Sequence, residues 1–148
     1  MPVTDQMVCF AVYAAARSTT QAYRTLLEPW GLTYPQYLVL VVLWTEGDVS
    51  VSTLCERMHL DTGTVSPLLR RMERDGLLRR ERRDADERVV TVALTARGEE
   101  LREELAGLPE RIARGTGLPD EAAAHDLIGT LHHLDASMRA AAAEPLRG

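Results

Sequence analysis

Lysine is absent from these 148 residues, so all 17 fixed side-chain cations are arginines. A guanidinium is planar, always charged and suited to bidentate contacts and to narrow grooves, which a compact ammonium is not. Long hydrophobic runs are missing too. The longest unbroken apolar stretch, Tyr37 to Trp44, falls far short of the roughly 20 residues that a membrane-spanning helix needs. The chain opens with Asp5 and no basic run ahead of an apolar segment, so a soluble, cytoplasmic protein with no membrane partner is expected. Cysteine is scarce: Cys9 and Cys55 lie on separate predicted helices. A structural disulfide therefore has little support, and free thiols are the expectation.

At 45% hydrophobic, the chain suits one compact domain, or a domain with arms that a partner must cover. The net charge of −5 argues against indiscriminate binding to nucleic acid, but the charge is unevenly spread. Eight of the arginines, Arg70, Arg71, Arg74, Arg79, Arg80, Arg82, Arg83 and Arg88, fall in one short segment between neutral or acidic flanks. Charge alone leaves open whether they form a solvated, salt-bridged face or a surface for phosphates.

The apolar pattern resolves into helices with legible ends. A first helix is expected from about Asp5 to Glu28, capped by Thr4 and stopped by Pro29 and Gly31. A second follows Thr33 with Pro35 in its first turn and runs to about Thr45; being apolar nearly all round, it should be the buried centre. Ser50 caps a third, with Val49 and Leu54 as a hydrophobic staple. Asp61 caps a fourth, in which Val65, Leu68, Leu69 and Met72 follow the i, i+3, i+4, i+7 spacing and Gly76 is the stop. Two short capped helices in tandem outline a helix-turn-helix.

Leu78 to Arg82 and Val89 to Leu94 then read as a β-hairpin with a charged tip, which directly after a helix-turn-helix is a wing. Thr95 is expected to cap a helix through about Arg114, and Pro119, Asp120 and Glu121 to open a last one to about Ala142. The stripes Leu101, Leu105, Leu108, Ile112 and Leu127, Ile128, Leu131, Leu134 exceed what a small winged module can cover. The expected fold class is mainly α with a small β-hairpin wing: a winged helix-turn-helix (about 47–95) with helical dimerisation arms (about 4–46 and 96–143), forming one domain over 1–148 and a homodimer.

Cys9 sits beside Phe10 and Tyr13, with Tyr23, Tyr34 and Tyr37 further on. A cysteine near a helix start feels the positive end of the helix dipole, and phenolic hydroxyls can donate to a thiolate. An isolated cysteine on an apolar helix is more often a small buried hydrophobe.

The segments Cys9 to Ala15, Tyr34-Pro35-Gln36-Tyr37 with Leu43-Trp44, Leu60 to Thr64 with Pro67-Leu68-Leu69, Gly76-Leu77, Asp86-x-Arg88 and Leu94-Thr95 with Gly98 together resemble the MarR family of winged-helix regulators. Within it they resemble the organic-hydroperoxide-sensing repressors. The resemblance implies that Cys9 is the oxidisable residue and that Tyr13, Tyr23 and Tyr34 surround it, some of them supplied by a partner subunit. Some members of that branch carry a second, resolving cysteine in the C-terminal helices; this chain has none there, so it looks like the single-cysteine type, with Cys55 a packing residue.

For such a protein, two fourth helices would enter successive major grooves of a pseudo-palindromic double-stranded DNA operator. Asp61, Thr62, Thr64 and Ser66 would lie near base edges or phosphates, Arg70 and Arg71 against phosphate, and Arg88 in the minor groove, oriented by Asp86. The signal would be an organic hydroperoxide, with a small cellular thiol capping the oxidised Cys9. Three other readings remain open at this stage. A regulator gated by a noncovalent aromatic or phenolic ligand in the dimer cleft shares nearly every feature except Cys9 with its tyrosines. A thiol peroxidase has no use for a wing, so no enzyme activity is expected. A metal sensor would draw on His125, His132 and His133, but without a converging cysteine or acidic cluster neither metal nor cofactor is expected.

Overall fold

The computed structural model describes residues 1–82 and 88–146. It divides into two compact units, 1–108 and 109–148. The first contains α1 (Val8–Leu27), α2 (Tyr34–Glu46), β1 (Val49–Ser50), α3 (Val51–Met58), α4 (Thr62–Arg74), β2 (Leu78–Arg82), β3 (Val90–Leu94) and α5 (Ala96–Glu104). Helix α6 (Leu108–Gly115) begins at the boundary, and α7 (Glu121–Ala142) belongs to the second unit.

Helix α2 lies at the centre of the first unit. Thr33 and Gln36 form a reciprocal capping box at its start, with Pro35 where a missing N–H costs nothing. Val39, Leu40 and Leu43 are buried. They join Leu54 of α3, Val65, Leu69 and Met72 of α4, and Val92 of β3 in the core. Burying a side chain of this size contributes roughly 1.5–3 kcal/mol, so this cluster outweighs the exposed ion pairs around it.

Ser50 caps α3 by accepting from the Thr53 N–H, and Asp61 caps α4 by accepting from the Thr64 N–H at 2.7 Å. Between them, His59 adopts a left-handed conformation with φ 53°. That reverses the chain in three residues, at a cost that a glycine would not incur.

The sheet has the order β1-β3-β2, all antiparallel, with Leu78 opposite Leu94, Arg82 opposite Val90 and Val49 opposite Val92. The hairpin tip, including Asp86, lies outside the described residues. The two-residue β1 was not expected: it is too short to carry a period, and its partner is far along the chain.

Two sequence expectations need correction. Thr4 does not cap α1; it lies in a 3₁₀ turn, Val3–Gln6, and the extended Met7 starts the α-helix without a side-chain cap. The helix expected from Thr95 to about Arg114 is two helices, α5 and α6. Pro109 has no N–H to give the Leu105 carbonyl, which instead accepts from the Leu108 N–H at 3.0 Å, and the ladder breaks.

In the second unit, Asp120 caps α7 by accepting from the Ala123 N–H. Leu127, Ile128, Leu131 and Met138 on this helix are exposed. Among the described residues no helix is long and apolar enough to cross a membrane.

Candidate nucleic-acid interface and thiol site

One interface is built on α4 and the strands that follow it. The core side of α4 is Val65, Leu68, Leu69 and Met72, so the opposite side faces outward. Thr62 and Thr64 are exposed in the first turn, Ser66 is half-buried, and Arg70 and Arg71 are exposed. The Asp61 carboxylate is engaged as the helix cap, and its hydrogen bonds from Thr64 hold its pKa below the usual carboxylate range. Arg71 is steadied along the helix, its Nε donating to the Pro67 carbonyl. Arg88 is exposed just ahead of β3.

The wing is fastened to α4 at both ends of the hairpin. At one end, Glu73 on the last turn of α4 accepts from the Arg80 backbone N–H at 2.8 Å and from its guanidinium at 3.2 Å. These bonds depress the Glu73 pKa, the backbone donor contributing most. At the other end, Thr95 caps α5 by accepting from the Gly98 N–H, while its own hydroxyl donates to the Gly76 carbonyl at 2.6 Å.

Gly98 lies against the Leu77 carbonyl, where a Cβ would collide with backbone, and its own carbonyl accepts from Trp44 Nε1 at 2.9 Å. Gly76 itself has φ +76°, which ends α4. One network of close contacts thus accounts for Trp44, Gly76-Leu77, Leu94-Thr95 and Gly98 occurring together.

The expected thiol site is spread over the length of α1. Cys9 is an exposed free thiol at the second residue of the helix. Tyr13, one turn on, is 58% exposed, with the Arg17 guanidinium 5.7 Å from its ring centre. Tyr23 and Tyr34 belong to a separate aromatic cluster at the other end. Their rings stack at 4.0 Å, and Tyr37, which sequence reasoning did not assign to the site, stands 5.8 Å from Tyr23.

Fourteen helical residues separate Cys9 from Tyr23, about 21 Å at 1.5 Å per residue. Within one chain, Cys9 and Tyr13 are therefore neighbours, whereas Tyr23 and Tyr34 are not brought to the thiol. Burial and the neighbouring Tyr34 push the Tyr23 phenol up to about 12, so it remains a neutral donor at physiological pH. A groove at the end of α1 is lined by Gln21, Arg24, Thr25, Glu28, Leu32 and Thr33, on the helix face turned away from Tyr23.

Cys55, half-buried on α3, has its Sγ 3.8 Å from Thr62 Oγ1 at the start of α4. Among the described residues, no three His, Cys, Asp or Glu side chains converge as a metal site.

The sequence pattern of the SarA/Rot transcriptional regulators matches residues 21–105. The chain is 38% identical to the organic hydroperoxide resistance transcriptional regulator of Bacillus subtilis, over 86% of this chain and 91% of that one. It is 48% identical to the regulator TtmR of Methylorubrum extorquens over 77% of this chain, but spans only 58% of that protein's length. Reduced AbfR bound to DNA, a Staphylococcus epidermidis protein, superposes with a TM-score of 0.71 at 32% identity, covering 86% of this chain and 91% of AbfR. AbsC of Streptomyces coelicolor, a MarR family regulator, superposes with a TM-score of 0.76 at 25% identity, covering 95% and 97%. With its helix-turn-helix and wing in place, this chain belongs to the MarR family of winged-helix transcriptional regulators and is a DNA-binding regulator of that type.

Proposed function

We propose that this regulator is a homodimeric repressor that releases its operator when Cys9 is oxidised by an organic hydroperoxide. The observation that carries the reading is the placement of Cys9: an exposed thiol in the first turn of α1, one turn from Tyr13, on a helix whose far end holds the stacked Tyr23 and Tyr34. If two α1 helices run antiparallel about a two-fold axis, the far end of each lies beside the Cys9 of the other. The tyrosine set that one chain separates by about 21 Å is then complete only in the dimer. The name of the Bacillus subtilis relative supports the signal. AbfR, solved reduced on DNA, overoxidized on DNA and in a disulfide form, supports redox chemistry on this scaffold.

In the proposed step, the Cys9 thiolate attacks the terminal oxygen of the hydroperoxide. An S–O bond forms, the O–O bond breaks, and the departing alkoxide takes a proton to leave as an alcohol. A small cellular thiol then displaces water from the sulfenic acid, giving a mixed disulfide. The added bulk at the interface shifts the two winged lobes out of register with successive major grooves.

The test is operator binding by the reduced protein before and after one equivalent of an organic hydroperoxide in the presence of a small thiol, with the intact mass measured on the same sample. Release with a mass change confined to Cys9 supports the reading; retained binding with Cys9 oxidised contradicts it. The groove at the end of α1, lined by Arg24, Thr25, Glu28 and Leu32, leaves room for a second reading, gating by a noncovalent phenolic ligand. That reading expects release without any covalent change.

A further inference from the structure

Two residues of α4, Gly63 and Pro67, are poor choices for a helix. Pro67 stands in the helix interior, where it has no N–H. The carbonyl of Gly63, four residues earlier, therefore lacks its ordinary intrahelical donor. Gly63 is exposed, does not adopt a positive φ, and a Cβ built on it would meet nothing closer than Asp61 Oδ1 at 3.4 Å. Alanine would fit there and would favour the helix. Gly98, by contrast, is demanded by the backbone packed against it.

The two residues are also placed together. At about 100° per residue, Gly63, Pro67, Arg70 and Arg74 fall on one stripe directly opposite the buried Val65, Leu68, Leu69 and Met72. Thr62, Thr64 and Ser66 only flank that stripe. The outward stripe of the helix thus begins with a backbone acceptor that has lost its usual donor and with the half-buried apolar ring of Pro67, and continues into two exposed guanidiniums. In a major groove, an acceptor matches an exocyclic amine and an apolar surface matches the thymine methyl. Only an A·T pair offers both. Cytosine offers an amine without a methyl.

The geometry points to Gly63 and Pro67 as a base-reading step that specifies an A·T pair in each half-site. The Gly63 carbonyl accepts from the adenine N6 amine, the Pro67 ring packs on the thymine C5 methyl, and the missing Cβ at Gly63 lets the groove edge approach. Arg70 and Arg74, further along the stripe, hold the phosphates. The inference rests on DNA binding through α4 and is independent of how release is triggered, because its test uses reduced protein without oxidant.

Duplexes selected from a random pool by the wild-type protein should fix A·T at one position per half-site. At that position, deoxyuridine in place of thymine removes only the methyl, and purine in place of adenine removes only the amine. Each should weaken wild-type binding about three- to tenfold, the range expected for part of one base contact. Pro67→Ala restores an N–H that occupies the Gly63 carbonyl, so this variant should be insensitive to both replacements and should select no preference there. Its binding to unrelated duplex should match that of the parent. Gly63→Ala should lower operator affinity while its melting temperature stays level or rises. The inference is overturned by wild-type binding that tolerates both replacements at every A·T position of the selected site, or by a Pro67→Ala protein that selects the parent's sequence with the parent's affinity. Loss of unrelated-duplex binding by Pro67→Ala also overturns it, because the step reads sequence and not phosphate.

Discussion

Glu73 holds the main-chain N–H and the guanidinium of Arg80 at once, at 2.8 Å and 3.2 Å, and so ties the last turn of α4 to the first wing strand. The pair is partly exposed, so its ionic component is worth little, while the bond to the backbone donor is worth about 1 kcal/mol. Glu73→Ala should therefore lower the melting temperature by only about 3 °C but loosen the wing relative to α4. A fall in operator affinity larger than the fall in stability is the expected result. Equal operator affinity in a mobility-shift titration would show that the wing does not depend on this clasp.

The same carboxyl sets a pH dependence. Its folded pKa is depressed by the Arg80 donors, so the folded state binds a proton less readily than the unfolded chain. The contribution is present above the unfolded carboxylate value, about 4.3, and is lost as pH falls through the lower folded value. Between pH 7 and 5 the clasp should stay intact, and it should open only as pH falls below the ordinary carboxylate range and through the depressed folded value. The stability difference between parent and Glu73→Ala, followed by denaturant titration, should shrink over that acid range only.

Tyr23 gives the opposite sign at the other end of the scale. Its pKa is raised to about 12, so its contribution is complete below the ordinary phenol value of about 10 and is lost as pH rises towards 12. Tyr23→Phe cannot ionise, so its stability should decline less steeply than the parent's over that interval. Parallel decline of the two proteins would place the ionisable group elsewhere.

Gly98 and Gly63 separate a glycine required by the fold from one that is not. Gly98→Ala drives a Cβ into the Leu77 carbonyl and the Leu94 side chain. Moving backbone at the α4-to-wing junction should cost about 3 kcal/mol, read as a drop in the denaturation midpoint. Gly63→Ala should show no such drop. If both variants are equally stable, the packing at Gly98 is looser than the close approach implies.

Most of the fold was written in local signals. Caps at Thr33, Ser50, Asp61, Thr95 and Asp120 and the stop at Gly76 each announce a helix end through one or two hydrogen bonds within four residues. The start of α1 was missed because Thr4 looks like a cap, yet its turn closes as 3₁₀ and Met7 intervenes. The break between α5 and α6 was missed because the stripe Leu101, Leu105, Leu108 and Ile112 keeps its period across Pro109, whose effect is a missing donor and not a missing hydrophobe. Composition identified an arginine-rich α4 and wing. It could not show that Glu73 spends its carboxylate on Arg80, nor that Gly63 and Pro67 share the outward stripe. The thiol set was the least legible. Cys9, Tyr13, Tyr23 and Tyr34 share a segment of sequence, but a straight helix holds its two ends apart.

That separation makes the thiol prediction depend on the dimer. Helix α7 leaves Leu127, Ile128, Leu131 and Met138 exposed, and α1 leaves Val8, Phe10 and Tyr13 exposed, apolar side chains that a second copy of the chain can cover. Sedimentation should give twice the 16.4 kDa chain mass, and Leu131→Glu should shift the protein towards monomer. Cys9→Ser should still bind operator and no longer release it with organic hydroperoxide, since a hydroxyl cannot form a sulfenic acid. Cys55→Ser should respond as the parent does, because Cys55 is half-buried against Thr62 and distant in sequence from the α1 site. Tyr23→Phe should slow the response in the dimer by removing a donor supplied across the interface. In a mixed dimer carrying Cys9→Ser in one subunit and Tyr23→Phe in the other, the loss should depend on the arrangement. If each Cys9 is served by the other subunit's Tyr23, the surviving cysteine in that heterodimer faces an intact Tyr23 and should react at the parental rate. A slow reaction there would mean that Tyr23 acts within its own chain, which the length of α1 argues against.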